Sequence, residues 1–220
     1  MSDKVMNKIK NGREYRAMMV EPVEGVTDQV VEGYATTFNQ PYTLYSFEDE
    51  RGVHAVREQV SAEAFKETDM SDVIMQYDHA GRVFARISNG TLGLEEDEHG
   101  LKIRANLSGT EIGRQLYEEI QGGYTNKMSF GFTVAEDNIV PDGTDYLRTI
   151  VRIGKLFDVS AVSLPANDFT EISARSHCDG VIAEIEAERL RAEKEAEEQR
   201  QRLEEIQNRL KALKGKTYGN

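Results

Sequence analysis

The chain has 220 residues, enough for one globular domain plus an appendage, with a core that needs no disulfide or metal staples. Its 27 basic and 39 acidic side chains leave a net charge of −12, which argues against nucleic acid as a partner because phosphates would be repelled. The single cysteine, Cys178, excludes an intramolecular disulfide and a Cys-rich metal site. The start of the chain has no apolar signal-peptide core, and no apolar run approaches the ~18 residues that span a bilayer. A soluble intracellular protein without a membrane partner is expected.

Residues 1–28 are polar with scattered apolar positions, and Glu21-Pro22-Val23-Glu24-Gly25 reads as a loop or weak edge strand, so 1–28 is set apart as an N-terminal segment. A strand from Gln29 to Phe38 is interrupted at Gly33 and broken by Asn39-Gln40-Pro41. The acidic turn Glu48–Gly52 leads to a second strand around Val53–Val56, and Ser61 caps a predicted short helix through Glu67. Val73–Tyr77 is an apolar strand ending in Asp78-His79-Ala80-Gly81. A long hairpin follows, up from Val83 to Glu95 and down from Leu101 to Leu107.

Ser108-Gly109-Thr110-Glu111 opens a helix whose apolar residues Ile112, Leu116 and Ile120 recur every four positions until Gly122-Gly123. Then comes Lys127-Met128-Ser129-Phe130-Gly131-Phe132-Thr133, with the period-2 alternation of a half-buried strand. The turn Pro141–Thr144 precedes an apolar run from Tyr146 to Leu164, stopped at Pro165-Ala166-Asn167-Asp168. These elements predict an α+β domain over 29–175. Its core is a mostly antiparallel, closed or partly closed β-barrel flanked by short helices.

Beyond it, 176–220 forms a helical tail. Val181 to Leu213 lacks Gly and Pro and places Ile182, Ile185, Leu203, Ile206, Leu210 and Leu213 on a heptad seam whose middle is weak. Its nine acidic and nine basic residues over 181–220 cancel, so the whole −12 resides on 1–180. A coiled-coil-like helix and a solvated single helix both satisfy this pattern.

Three residues could carry chemistry. Ser129 stands on a strand face beside Gly131, where another backbone can approach closely, although a lone serine there is otherwise an ordinary solvent-facing position. Of the four histidines, His99 and His177 read as surface residues and His54 as a strand residue. His79, at the mouth of an apolar strand, can take a proton from a hydroxyl and return it to a leaving amine. Asp158, within a strongly apolar strand, either faces outward or requires a partner, because burying a carboxylate alone is costly. No metal-ligand spacing is present, and no cofactor is implied.

The order of these pieces resembles the prohead serine proteases of tailed bacteriophages: Gly33-Tyr34-Ala35, Met75 to His79, the Gly113–Ile120 helix, Lys127 to Phe132, and Asp158 to Asn167. The similarity spans roughly 30–172. It implies a serine endopeptidase with Ser129 as nucleophile, His79 as general base and Asp158 as third member. The family is distantly similar to herpesvirus assemblins, whose third member is a second histidine, so His54 stands as the rival to Asp158. The implied substrates are the major capsid protein, through its scaffold segment, and the protease itself, which implies a homo-oligomer acting inside the assembling procapsid in the host cytoplasm. For the oxyanion, Arg152 or a water is the candidate donor. Two other readings remain: a non-enzymatic scaffolding protein acting through its coiled-coil tail, and a small-molecule hydrolase on a barrel.

Overall fold

Two long strands, joined by a tight turn at Gly143-Thr144, form the spine of the fold. The computed structural model describes residues 13–25, 28–163 and 168–217; most of the N-terminal segment and the Pro165-Ala166-Asn167 stop lie outside the described residues. In chain order the elements are β1 (Glu14–Pro22), β2 (Val30–Thr37), β3 (Tyr42–Asp49), β4 (Gly52–Val60), β5 (Ile74–Tyr77) and β6 (Ala80–Arg86). There follow β7 (Leu92–Glu96), β8 (Gly100–Asn106), α1 (Glu111–Gln121), β9 (Lys127–Asp142), β10 (Asp145–Val162) and α2 (Asp168–Thr217). The chain divides into two units between Ser176 and His177. No helix among the described residues is long and apolar enough to cross a membrane.

The ten strands of the first unit make one curled half-barrel sheet in the order β3-β4-β10-β9-β1-β2-β8-β7, with β5 pairing β10 and β6. The path does not return on itself, so the barrel expected from sequence is partly closed. β10 runs parallel to β4 and β5, and the remaining strand pairs are antiparallel.

Alternation on β9 sends Met128, Phe130 and Phe132 into the core, all fully buried with Ile103, Val159 and Leu116. The rings of Phe130 and Phe132 stack at 4.6 Å between centroids. Each such side chain contributes about 2–3 kcal/mol by its burial. Helix α1 closes this face. Thr110 caps it, its hydroxyl accepting from the Gly113 N–H at 3.0 Å, and Leu116 and Ile120 point inward.

Four local expectations change. Residues 61–67 form successive turns rather than a helix. Their backbone bonds span three residues, Ala64 N–H to the Ser61 carbonyl, Lys66 to Glu63 and Thr68 to Phe65, and the Ala64 carbonyl accepts from Ile153 N–H of β10 at 2.9 Å. The stretch 83–95 is split by a 3₁₀ turn at Ile87–Asn89 and by Gly90, whose φ of 73° reverses the chain. Gly33 does not interrupt β2. It lets β1 approach, since a Cβ there would lie 2.6 Å from the Met19 carbonyl oxygen.

Finally, Glu21-Pro22 ends an inner strand, not an edge, because β1 lies between β9 and β2. Its polar look has a physical reason: Glu14 and Arg16 belong to a buried ionic cluster. Arg148, 1% exposed, donates to Glu14 at 2.8 and 2.9 Å, to Glu58 at 2.8 Å and to Asp137 at 2.6 Å. Arg16 meets Glu58 at 2.5 and 2.8 Å and Glu14 at 2.7 Å. Burial opposes ionisation of Glu58, yet Arg16 and Arg148 hold its carboxyl below the ordinary carboxylate range.

Candidate active site

β5 ends where Tyr77 pairs with Ala80, leaving Asp78 and His79 as a two-residue hairpin loop. Both have left-handed backbones, φ 48° and 57°, the signature of a type I′ turn normally filled by Asn-Gly. Such φ values cost a side-chain-bearing residue roughly 1–2 kcal/mol each. The turn is held there by the end of β10. Asp78 N–H donates to the Ala161 carbonyl at 2.9 Å. Its carboxylate accepts from the Ser163 N–H at 2.8 Å and from the Ser163 hydroxyl at 2.9–3.0 Å.

This clamp aims His79 at β10. His79 Nδ1 donates to Asp158 Oδ1 at 2.5 Å, and the same oxygen accepts from Ser160 Oγ at 2.6 Å. Asp158 is 2% exposed, so its charge is stabilised by these donors rather than by water. With Asp158 as carboxylate, Nδ1 carries the proton and Nε2 becomes the basic nitrogen.

The β9–β10 register carries the serine to the same place. Ser129 is the Cα partner of Ser160, and Gly131 of Asp158. Directly opposed residues of an antiparallel pair project to one face with Cβ atoms about 4.5–5.5 Å apart. Ser129, Ser160 and Asp158 therefore share the face turned away from Phe130 and Val159. The Ser129 hydroxyl is buried and, among the described residues, has no hydrogen-bond partner, His79 included, an arrangement that costs about 1–3 kcal/mol.

The other sequence candidates lie elsewhere. His54, on β4, donates through Nε2 to Asp49 at 2.8 Å and through Nδ1 to the Thr144 carbonyl, with its ring against Phe47 at 5.2 Å. The Thr144 carbonyl and then Asp49 raise its pKa above the ordinary imidazole value. Both its nitrogens are engaged at that corner, so the group on His79 is Asp158. Arg152 is eight residues before Ser160 on β10 and faces Glu136 at 3.6 Å, which removes it as an oxyanion donor.

Ser160, Asp78 and Ser163 escaped the sequence reading. The local signal for Ser160 is the Asp158-x-Ser160 alternation, which puts both side chains on one strand face.

A histidine oriented by a buried carboxylate, one strand from a serine hydroxyl, belongs to the chemistry of serine peptidases. A family model described as caudovirus prohead serine protease matches residues 15–181, and the chain belongs to that family. It is accordingly a serine peptidase with a role in phage capsid maturation. Neither curated proteins nor solved structures give a significant match.

Proposed function

We propose that this protein is an endopeptidase that cleaves capsid and scaffold protein, and itself, inside the assembling procapsid, with Ser129 as nucleophile, His79 as general base and Asp158 as orienting carboxylate. In this reading His79 Nε2 takes the Ser129 proton as Oγ attacks the peptide carbonyl. Asp158 stabilises the imidazolium that results. The proton then passes to the leaving amine, and water hydrolyses the acyl-enzyme.

The observation that carries the assignment is the 2.5 Å His79–Asp158 hydrogen bond, made where the register sets Ser129 beside Ser160. An unpartnered hydroxyl at that point supports it, because a nucleophile must exchange its proton without first surrendering another bond. Co-expression with the capsid protein, read by intact mass, tests the proposal. Wild type yields trimmed capsid protein and trimmed protease, and Ser129→Ala yields neither. Trimming that persists in Ser129→Ala overturns it.

A further inference from the structure

A cavity of about 480 Å³ opens beside β1 and β2, lined in part by Met19, Glu21, Glu32, Tyr34, His99 and Lys102. It lies on the face that carries Ser129. On β1, Ala17 is the partner of Ser129 and Met19 of Lys127, while the intervening Met18 packs on the core. Strand alternation therefore gives Met19 the same side as Ser129, and Met19 is 50% exposed. Glu21 opposite Glu32 extends that face onto β2, and Tyr34 opposite Lys102 extends it to β8.

We infer that this cavity is a substrate side-chain subsite, taking a large apolar residue of the methionine, leucine or phenylalanine kind from an extended peptide cleaved at Ser129. The inference rests on Ser129 being the nucleophile. Met19 stands one strand across from Ser129 and two residues along, roughly 5 Å by 7 Å. An extended peptide rises about 3.3 Å per residue, so the side chain belongs two or three positions from the scissile bond.

The walls are set before a ligand arrives. The Tyr34 hydroxyl donates to Asp97 at 2.7 Å, and its ring meets His99 edge-on at 4.5 Å between centroids. Asp97 is itself fixed by the N–H groups of His99 at 2.8 Å and Gly100 at 2.9 Å. A ring already held in place loses little freedom on binding. Two of the charges at the rim are committed, Glu32 pairing with Lys102 at 3.0 Å and also with Arg104, while the Glu21 carboxylate is exposed. Besides the exposed Glu21 carboxylate, these pairs leave for an incoming side chain the Met19 thioether and the Tyr34 ring, soft apolar surfaces that favour sulfur and aromatic partners.

Cleavage of a positional-scanning peptide library by the full chain tests the subsite. Wild type should prefer methionine, leucine or phenylalanine over alanine and aspartate by about tenfold in kcat/KM, at one position two or three residues from the cut. Met19→Glu should transfer that preference to lysine and arginine, with preferences at other positions kept. Tyr34→Ala, which removes the opposite wall, should erase it. No preference at those positions, or one that survives both substitutions, overturns the subsite while Ser129→Ala remains inactive. Cleavage of the library by Ser129→Ala would instead overturn the nucleophile assignment, and the subsite with it.

Discussion

Asp158 Oδ1 receives two donors at once, His79 at 2.5 Å and Ser160 at 2.6 Å, in a setting that excludes water. Each donor has a separable consequence. Asp158→Asn keeps the volume but presents an amide where a carboxylate held the imidazole, favouring the wrong tautomer. Its kcat should fall about 10³–10⁴-fold, with the folded far-ultraviolet circular dichroism spectrum retained. Ser160→Ala removes one of the two donors, a charge-assisted bond of about 1.5–3 kcal/mol. A loss of roughly 10-fold or more in kcat with KM unchanged is expected, recovered in part by Ser160→Thr. An equal rise in KM would show instead that Ser160 shapes substrate binding.

At the level of elements, the β5–β6 turn stores strain where His79 is placed. Asp78 and His79 both occupy the left-handed region, and Asp78 is bound twice over by β10 through Ala161 and Ser163. Asp78→Ala loses the carboxylate contacts and keeps the strained φ, so stability should fall by about 1–3 kcal/mol, read from the urea midpoint. Asp78→Gly relieves the φ cost but frees the turn from Ser163. It should be the more stable of the two and still poorly active.

The β3–β4 corner has its own pH signature. The Thr144 carbonyl and Asp49 raise the pKa of His54, so the folded state favours the protonated ring. That stabilisation is complete below the unfolded value near pH 6.5 and is lost as pH rises through the higher folded value. A Tm that falls over that interval in wild type, and is flatter in His54→Gln, is the expected result.

Across the whole sheet, five strands meet in one charged knot. Arg148 on β10 joins Glu14 of β1, Glu58 of β4 and Asp137 of β9, while Tyr42 of β3 donates to Glu58. Removing one member of such a cluster strands the remaining charges in a medium that cannot solvate them. Arg148→Ala should cost about 3–5 kcal/mol, a large share of the 5–15 kcal/mol typical of a domain. Denaturant unfolding measures it. The corresponding change at an exposed pair, Lys155→Ala beside Asp69 at 2.7 Å, should cost under about 1 kcal/mol.

Local sequence was sufficient where a single element announced itself. The four-residue recurrence of Ile112, Leu116 and Ile120 marks α1, and alternation marks the Met128–Phe132 stretch as strand. The half-buried strand expected there is buried on both faces, because the Ser129 side packs with Asp158 and Ser160 instead of facing solvent. The α+β class and the long C-terminal helix follow from the same periodicities. β1 was hidden because its buried positions include Glu14 and Arg16, whose neutralising partners lie 42 and 134 residues away in the chain. No window of sequence reports a partner at that distance.

The same limit separates the site's residue types from its arrangement. Local residue patterns make Ser129, His79 and Asp158 candidates, and the resemblance to prohead proteases implies their roles. Only the β9–β10 register, the clamp on Asp78 and the engagement of His54 with Thr144 and Asp49 decide that His79 meets Asp158 with Ser129 across the ladder. Hydrogen-bonding reach is a property of packed backbones, fixed by which strands lie side by side, and that neighbourhood exists only once the sheet has formed.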